Sequence, residues 1–108
     1  ESKLQNIAER IMMLMQIKSH LHPLYISEDN IYLQELLKAY NLITNENGKP
    51  YAIGGRTYCA LMPNSLSFGA QFPNEKELAH EVNEYIDLDS MKKAVKIYLQ
   101  SFINLNNL

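Results

Sequence analysis

The stretch from Tyr51 to Ile86 constrains the architecture most. It holds two short apolar runs, Tyr51 to Ile53 and Leu66 to Phe72, separated by a Gly54-Gly55 turn and by Pro63. Runs of this length suit buried strands and are too short for a core helix. Helical patterns flank the stretch on both sides. Before it, Ile31, Leu33, Leu36, Leu37, Tyr40 and Leu42 give a broad apolar helix face over 30–43, and TNENGKP then supplies the breakers Gly48 and Pro50. Ser27 and Asp29 are the N-cap candidates for that helix. After the stretch, Asp87 and Asp89 open a final helix. Met91, Ala94, Val95, Tyr98, Phe102 and Ile103 share one side of it, with Lys92, Lys93 and Lys96 mostly on the other. The asparagine-rich end, NLNNL, is expected to fray.

Upstream, residues 2–10 place Leu4, Ile7 and Ala8 at helical spacing, while Met13 to Leu21 alternates as an edge-exposed strand does until Pro23. Residues 57–62 suit one or two helical turns ended by Pro63, and Gly69 marks a close backbone approach in the second run. The order helix, strand, helix, strand, short helix, strand, helix is an α/β order. Three or four short strands make an incomplete sheet with open edges. The remaining strands are therefore expected from elsewhere, and the uncovered apolar faces are expected to drive self-association.

A chain of 108 residues is one small domain or part of a larger one. Its formal net charge of -2, with ten scattered basic residues, gives no electrostatic reason to bind nucleic acid. Cys59 is the single cysteine, which rules out an internal disulfide and a zinc ribbon and favours a reducing, cytoplasmic compartment. The longest apolar cluster, Ile11 to Met15, is too short to span a bilayer, so no membrane partner is expected. There is no signal-peptide pattern, and a start at Glu1 rather than methionine fits a processed or excised piece.

Two places can carry chemistry. Gly54-Gly55-Arg56-Thr57 reads as a strand-to-helix turn whose backbone amides face an anion, with Arg56 or Thr57 adding a hydrogen bond. The plainer reading is a tight turn that needs glycine torsions. The P-loop ending is missing. His80, in E-L-A-H-E-V-N-E-Y, is a zinc-ligand candidate that Glu77, Glu81 or Glu84 can orient, against the plainer reading of a solvated loop histidine. A complete site needs three or four ligands, so His80 would be one ligand of a site completed outside this chain. His20 and His22 read as a partly exposed structural pair, and Cys59 as a small buried side chain without an activating base. Met12, Met13 and Met15 read as packing.

Taken together, P-Y-A-I-G-G-R-T-Y, M-P-N-S-L-S-F-G-A-Q-F-P, E-L-A-H-E-V-N-E-Y-I and the terminal amphipathic helix resemble the C-terminal end of a zinc dipeptidase. The family is the peptidase V and Xaa-His dipeptidase group, related to carnosinase and aminoacylase. H-P-L-Y-I-S-E-D-N and the leucine-rich helix after it extend the resemblance over most of the chain. The resemblance implies an α/β zinc-peptidase catalytic domain, here only its C-terminal part, with an incomplete sheet flanked by helices. Residues 1–22 would be the last helix and strand of the inserted, dimerisation-like lid domain, and residues 23–108 the closing part of the catalytic domain.

The same resemblance implies hydrolysis of dipeptides by a metal-activated water. His80 falls on the family's last zinc ligand, and Gly54, Gly55, Arg56 and Thr57 fall on its substrate-binding turn. No catalytic residue is implied within these 108 residues, because the general base and the other ligands of the two zinc ions lie upstream in the family. The chain alone is thus expected to be inactive and to need the remainder of the parent enzyme as its partner. Two positions depart from the family, Arg56 at a usual third glycine and Ala60 where an arginine is frequent. They favour the alternative of a non-catalytic relative that acts as a binding or assembly module. A third reading is an unrelated α/β binding domain that shares only the Gly-Gly turn.

Overall fold

The computed structural model describes Lys3, Asn6 and residues 23–55, 57–69 and 71–108. The described residues form two α-helices, α1 (Ile31–Thr44) and α2 (Leu88–Asn106), and a short 3-10 helix, η1 (Tyr58–Leu61), between them. The helix and strand expected over residues 2–21, the lid segment 1–22 apart from Lys3 and Asn6, and the pair His20 and His22 lie outside the described residues.

Helix α1 is capped one residue after the Asp29 candidate and three after Ser27. Its N-cap is Asn30, whose Oδ1 accepts from the N–H groups of Tyr32 at 3.0 Å and Leu33 at 3.1 Å. These are two of the four donors that a helix start leaves without an internal partner. Ser27 instead closes the preceding turn, its carbonyl accepting from the Asn30 N–H at 3.0 Å. The helix stops at Asn45, in the left-handed region at φ 57, a conformation asparagine tolerates better than most residues. The chain then folds back over the last turn. The Tyr40 hydroxyl donates to Glu46 Oε2 at 2.5 Å, and the Gly48 N–H donates to Asn41 Oδ1 at 2.7 Å. A Cβ on Gly48 would lie 2.6 Å from Tyr40 Cε1, so no larger residue fits there without displacing the ring.

Helix α2 opens on Asp87, whose Oδ1 accepts from the N–H groups of Asp89 at 2.9 Å and Ser90 at 3.1 Å. It continues through Asn106, so of NLNNL only Asn107 and Leu108 lie beyond the helix. Asn104 holds that end in place. Its Nδ2 donates across the helix pair to the Glu35 carbonyl at 3.1 Å, and its Oδ1 accepts from Gln100 Nε2 at 2.8 Å.

The two helices pack on each other, and the small core lies mainly between them: Leu36 and Ala39 from α1, Ala94, Ile97 and Ser101 from α2, and Cys59 from η1. Burying an aliphatic side chain such as Ile97 contributes about 1.5–3 kcal/mol. Ser101 is tolerated in this core because its hydroxyl donates to the Ile97 carbonyl at 2.8 Å. The buried line of α2 is not the expected one. Ala94 does face the core, but Met91, Val95, Phe102 and Ile103 are exposed, Phe102 at 72%. The side with the small residues Ala94 and Ser101 meets α1, since small side chains let two helices approach closely. The bulky apolar side is left without a partner among the described residues.

Neither Tyr51 to Ile53 nor Leu66 to Phe72 forms a strand, and no strand exists among the described residues. The α/β order is therefore not realised there. A strand exists only as part of a hydrogen-bonded ladder, and each run lacks a neighbour to pair with. The helical turn expected at 57–62 is present as η1, with the Ser65 hydroxyl sitting on the Cys59 and Met62 carbonyls. Two aromatic contacts bring the irregular segment onto the helices. Phe68 meets Tyr98 edge to face at 6.0 Å, and Phe72 stacks on Tyr40 at 6.3 Å. Among the described residues no helix is long and apolar enough to cross a membrane.

Candidate functional site

The Gly54-Gly55 turn is an exposed bend. Neither glycine has a positive φ, and a Cβ built on either would meet no atom within 4 Å. The torsional reading of this pair is thus not realised. Within this chain nothing about backbone conformation or crowding demands glycine at either position. Arg56 lies outside the described residues. Thr57 is engaged: its Oγ1 lies 2.7 Å from Cys59 Sγ and 2.8 Å from Ser67 Oγ, and Ser67 Oγ lies 2.8 Å from Cys59 Sγ. The Ser67 and Thr57 hydroxyls hold the Cys59 thiol below its usual pKa. Cys59 is nonetheless buried in η1, as a small core residue, with hydroxyls rather than a base beside it.

His80 is exposed at the third position of the turn Leu78 to Glu81, which the Glu81 N–H closes on the Leu78 carbonyl at 3.0 Å. Its φ is 66. The other non-glycine residues with positive φ among those described are Asn45, Asn64 and Asn83. Asparagine visits this region at little cost, whereas most L-residues lose about 1–2 kcal/mol there. His80 is therefore the one described residue outside the asparagine and glycine class that the chain holds left-handed. Histidine, like asparagine, enters this region more often than most residues.

Among the described residues no three His, Cys, Asp or Glu side chains converge to hold a metal ion. One exposed imidazole fits as a single zinc ligand, and a zinc site takes three or four. Among the described residues no hydrogen bond joins His80 to the Gly54-Gly55 turn.

Sequence reading missed the Phe72 to Glu75 turn. The Phe72 N–H donates to Glu75 Oε2 at 3.0 Å and the Glu75 N–H returns to the Phe72 carbonyl at 3.0 Å. The Phe72 ring is held between Tyr40 and Lys93, whose Nζ lies 4.7 Å from the ring centroid. The signal was present in F-P-N-E: a Pro-Asn turn centre, with a carboxylate three residues after the residue whose N–H it accepts.

Comparison with known proteins adds a distinct line. A Staphylococcus saprophyticus protein named "Putative dipeptidase" is 39% identical over 83 residues, 77% of this chain and 18% of that protein. A Staphylococcus aureus protein of the same name is 36% identical over 83 residues, with the same shares. The chain thus spans 18% of the length of the curated relatives it matches. No protein-family model matches the chain. No solved structure matches it.

Proposed function

We propose that these residues are the C-terminal part of a larger zinc-dependent dipeptidase, with His80 as one zinc ligand and the Gly54-Gly55 turn, with Arg56 and Thr57, as a substrate-binding element. The observation that carries this reading is the 39% identity over 83 residues to a protein named as a dipeptidase. Two features of the chain support the residue roles. His80 is exposed at the third position of the turn Leu78 to Glu81, where its imidazole is open to a metal whose other ligands come from outside these residues. Gly54 and Gly55 leave their backbone open where neither torsion nor crowding asks for glycine, as suits the close approach of a peptide substrate.

In this reading the sheet and the remaining ligands come from the rest of the polypeptide, in keeping with the 18% of the relatives that the chain covers. Bound zinc would lower the pKa of a water and polarise the scissile carbonyl. The part of this chain is to hold an imidazole in place and to present open backbone at the Gly54-Gly55 turn. The test is zinc content of the intact polypeptide by atomic emission, with and without His80→Ala. Loss of about one zinc per chain in the variant is expected. A wild-type protein that binds no zinc contradicts the reading and leaves the non-catalytic binding module in its place.

A further inference from the structure

The segment 76–86 that carries His80 has no helix or strand of its own, so its placement depends on how its two ends are held. At the C-terminal end, Asp87 caps α2 through the N–H groups of Asp89 and Ser90. At the N-terminal end, the Phe72 to Glu75 turn is closed by two reciprocal hydrogen bonds of 3.0 Å between those residues. The turn is fixed to both helices at once, because the half-buried Phe72 ring stacks on Tyr40 of α1 and lies under the Lys93 ammonium of α2. Glu75 is half-buried, with its Oε2 accepting from the Phe72 N–H and the Ser90 side chain of α2 beside its carboxyl. It is held in the structure rather than waving in solvent. Three residues later the turn that presents His80 begins.

We propose that Phe72 and Glu75 are positioning residues for the metal ligand: together they clamp the start of the His80 loop onto the helix pair, and Glu75 sets the turn through its bond from the Phe72 N–H. This rests on His80 being a zinc ligand. A loop anchored at both ends leaves the imidazole fewer placements to search, so metal binding costs less conformational entropy. Glu75 does not itself touch the metal.

The experiment uses the intact polypeptide and measures zinc affinity by competition with a chromophoric chelator, alongside amide hydrogen exchange over 76–86. Glu75→Ala removes the acceptor and is expected to weaken zinc about tenfold, the lower end of what supporting residues around metal sites contribute. It should also speed exchange over 76–86 while leaving the protection of α1 and α2 unchanged. Glu75→Gln keeps an oxygen that accepts from the Phe72 N–H, so it is expected to restore both. Because Gln also restores the side-chain volume, Glu75→Met supplies the separation: it keeps the volume without an accepting oxygen, so a general packing role would be restored by Met and the clamp would not. In Glu75 protein the Phe72 amide resonance should move on acidification, and in Glu75→Gln it should not. Wild-type zinc affinity and loop exchange in Glu75→Ala would overturn the clamp, as would failure of Glu75→Gln to restore them. If His80→Ala leaves zinc affinity intact, the ligand assignment itself falls and the proposal falls with it. If His80→Ala destroys binding and Glu75→Ala does not, only the clamp is wrong.

Discussion

At His80 the backbone is held at φ 66, a cost that asparagine at the same place would largely avoid. His80→Asn is therefore expected to leave thermal stability unchanged or raise it by up to about 1 kcal/mol, while removing zinc from the intact protein. A clear loss of stability in that variant would mean the imidazole is retained for packing. Gly48 is the opposite case. Its Cβ position is occupied by the Tyr40 ring, so Gly48→Ala should destabilise by about 1–3 kcal/mol in urea unfolding, as overpacked sites do. Tyr40 itself is pushed up to about 12 by its burial and by Glu46 beside it. The folded state thus holds the phenolic proton more tightly than the unfolded chain, whose tyrosines titrate near 10. That contribution is complete below pH 10 and is lost as pH rises from 10 to about 12, so the unfolding midpoint should fall across this window. Tyr40→Phe should flatten the fall. Glu75 has the reverse sign: the Phe72 N–H, with the Ser90 side chain, holds its carboxyl below the usual range, so its contribution is present above about pH 4.5 and fades on acidification.

The two helices were legible because their signals are local. Period, breakers and a capping side chain within three residues are enough to place α1 and α2 to within a residue or two. The cap itself was misread, by one position from Asp29 and three from Ser27, since Ser27, Asp29 and Asn30 are all competent and only the turn closed on the Ser27 carbonyl selects Asn30. Asn30→Ala should cost about 1 kcal/mol in thermal unfolding, and Ser27→Ala clearly less. Strands were not legible in the same way. The runs Tyr51 to Ile53 and Leu66 to Phe72 have strand composition, yet pairing is decided by a partner that no local pattern contains. The choice of the buried side of α2 was similarly hidden. Hydrophobicity alone favours Phe102 and Ile103, but the contact with α1 selects the small residues Ala94 and Ser101. Of the candidate site, the residue type of His80 could be read from the sequence, whereas its left-handed backbone and the Phe72 to Glu75 turn emerge only once the loop is folded.

At the scale of the whole molecule, the described residues bury little and expose much. Among them, Met91, Val95, Leu99, Phe102 and Ile103 leave one side of α2 apolar and uncovered, and the irregular segment exposes Tyr51, Ile53 and Tyr58. Surfaces of this kind drive association. The 108-residue chain by itself is expected to show concentration-dependent self-association in sedimentation velocity, and Phe102→Glu should reduce it. A strict monomer at high concentration would mean these faces are not interfaces. In the intact protein the same surfaces would be covered by the rest of the polypeptide, of which the curated relatives have far more than this chain spans. The most direct measurement is hydrolysis of a panel of dipeptides by the intact polypeptide, before and after zinc is stripped with a chelator and restored. Activity is expected to disappear with the metal, return with it, and be abolished by His80→Ala. Full activity in the zinc-stripped protein, or in the His80→Ala variant, would contradict the zinc-dipeptidase reading.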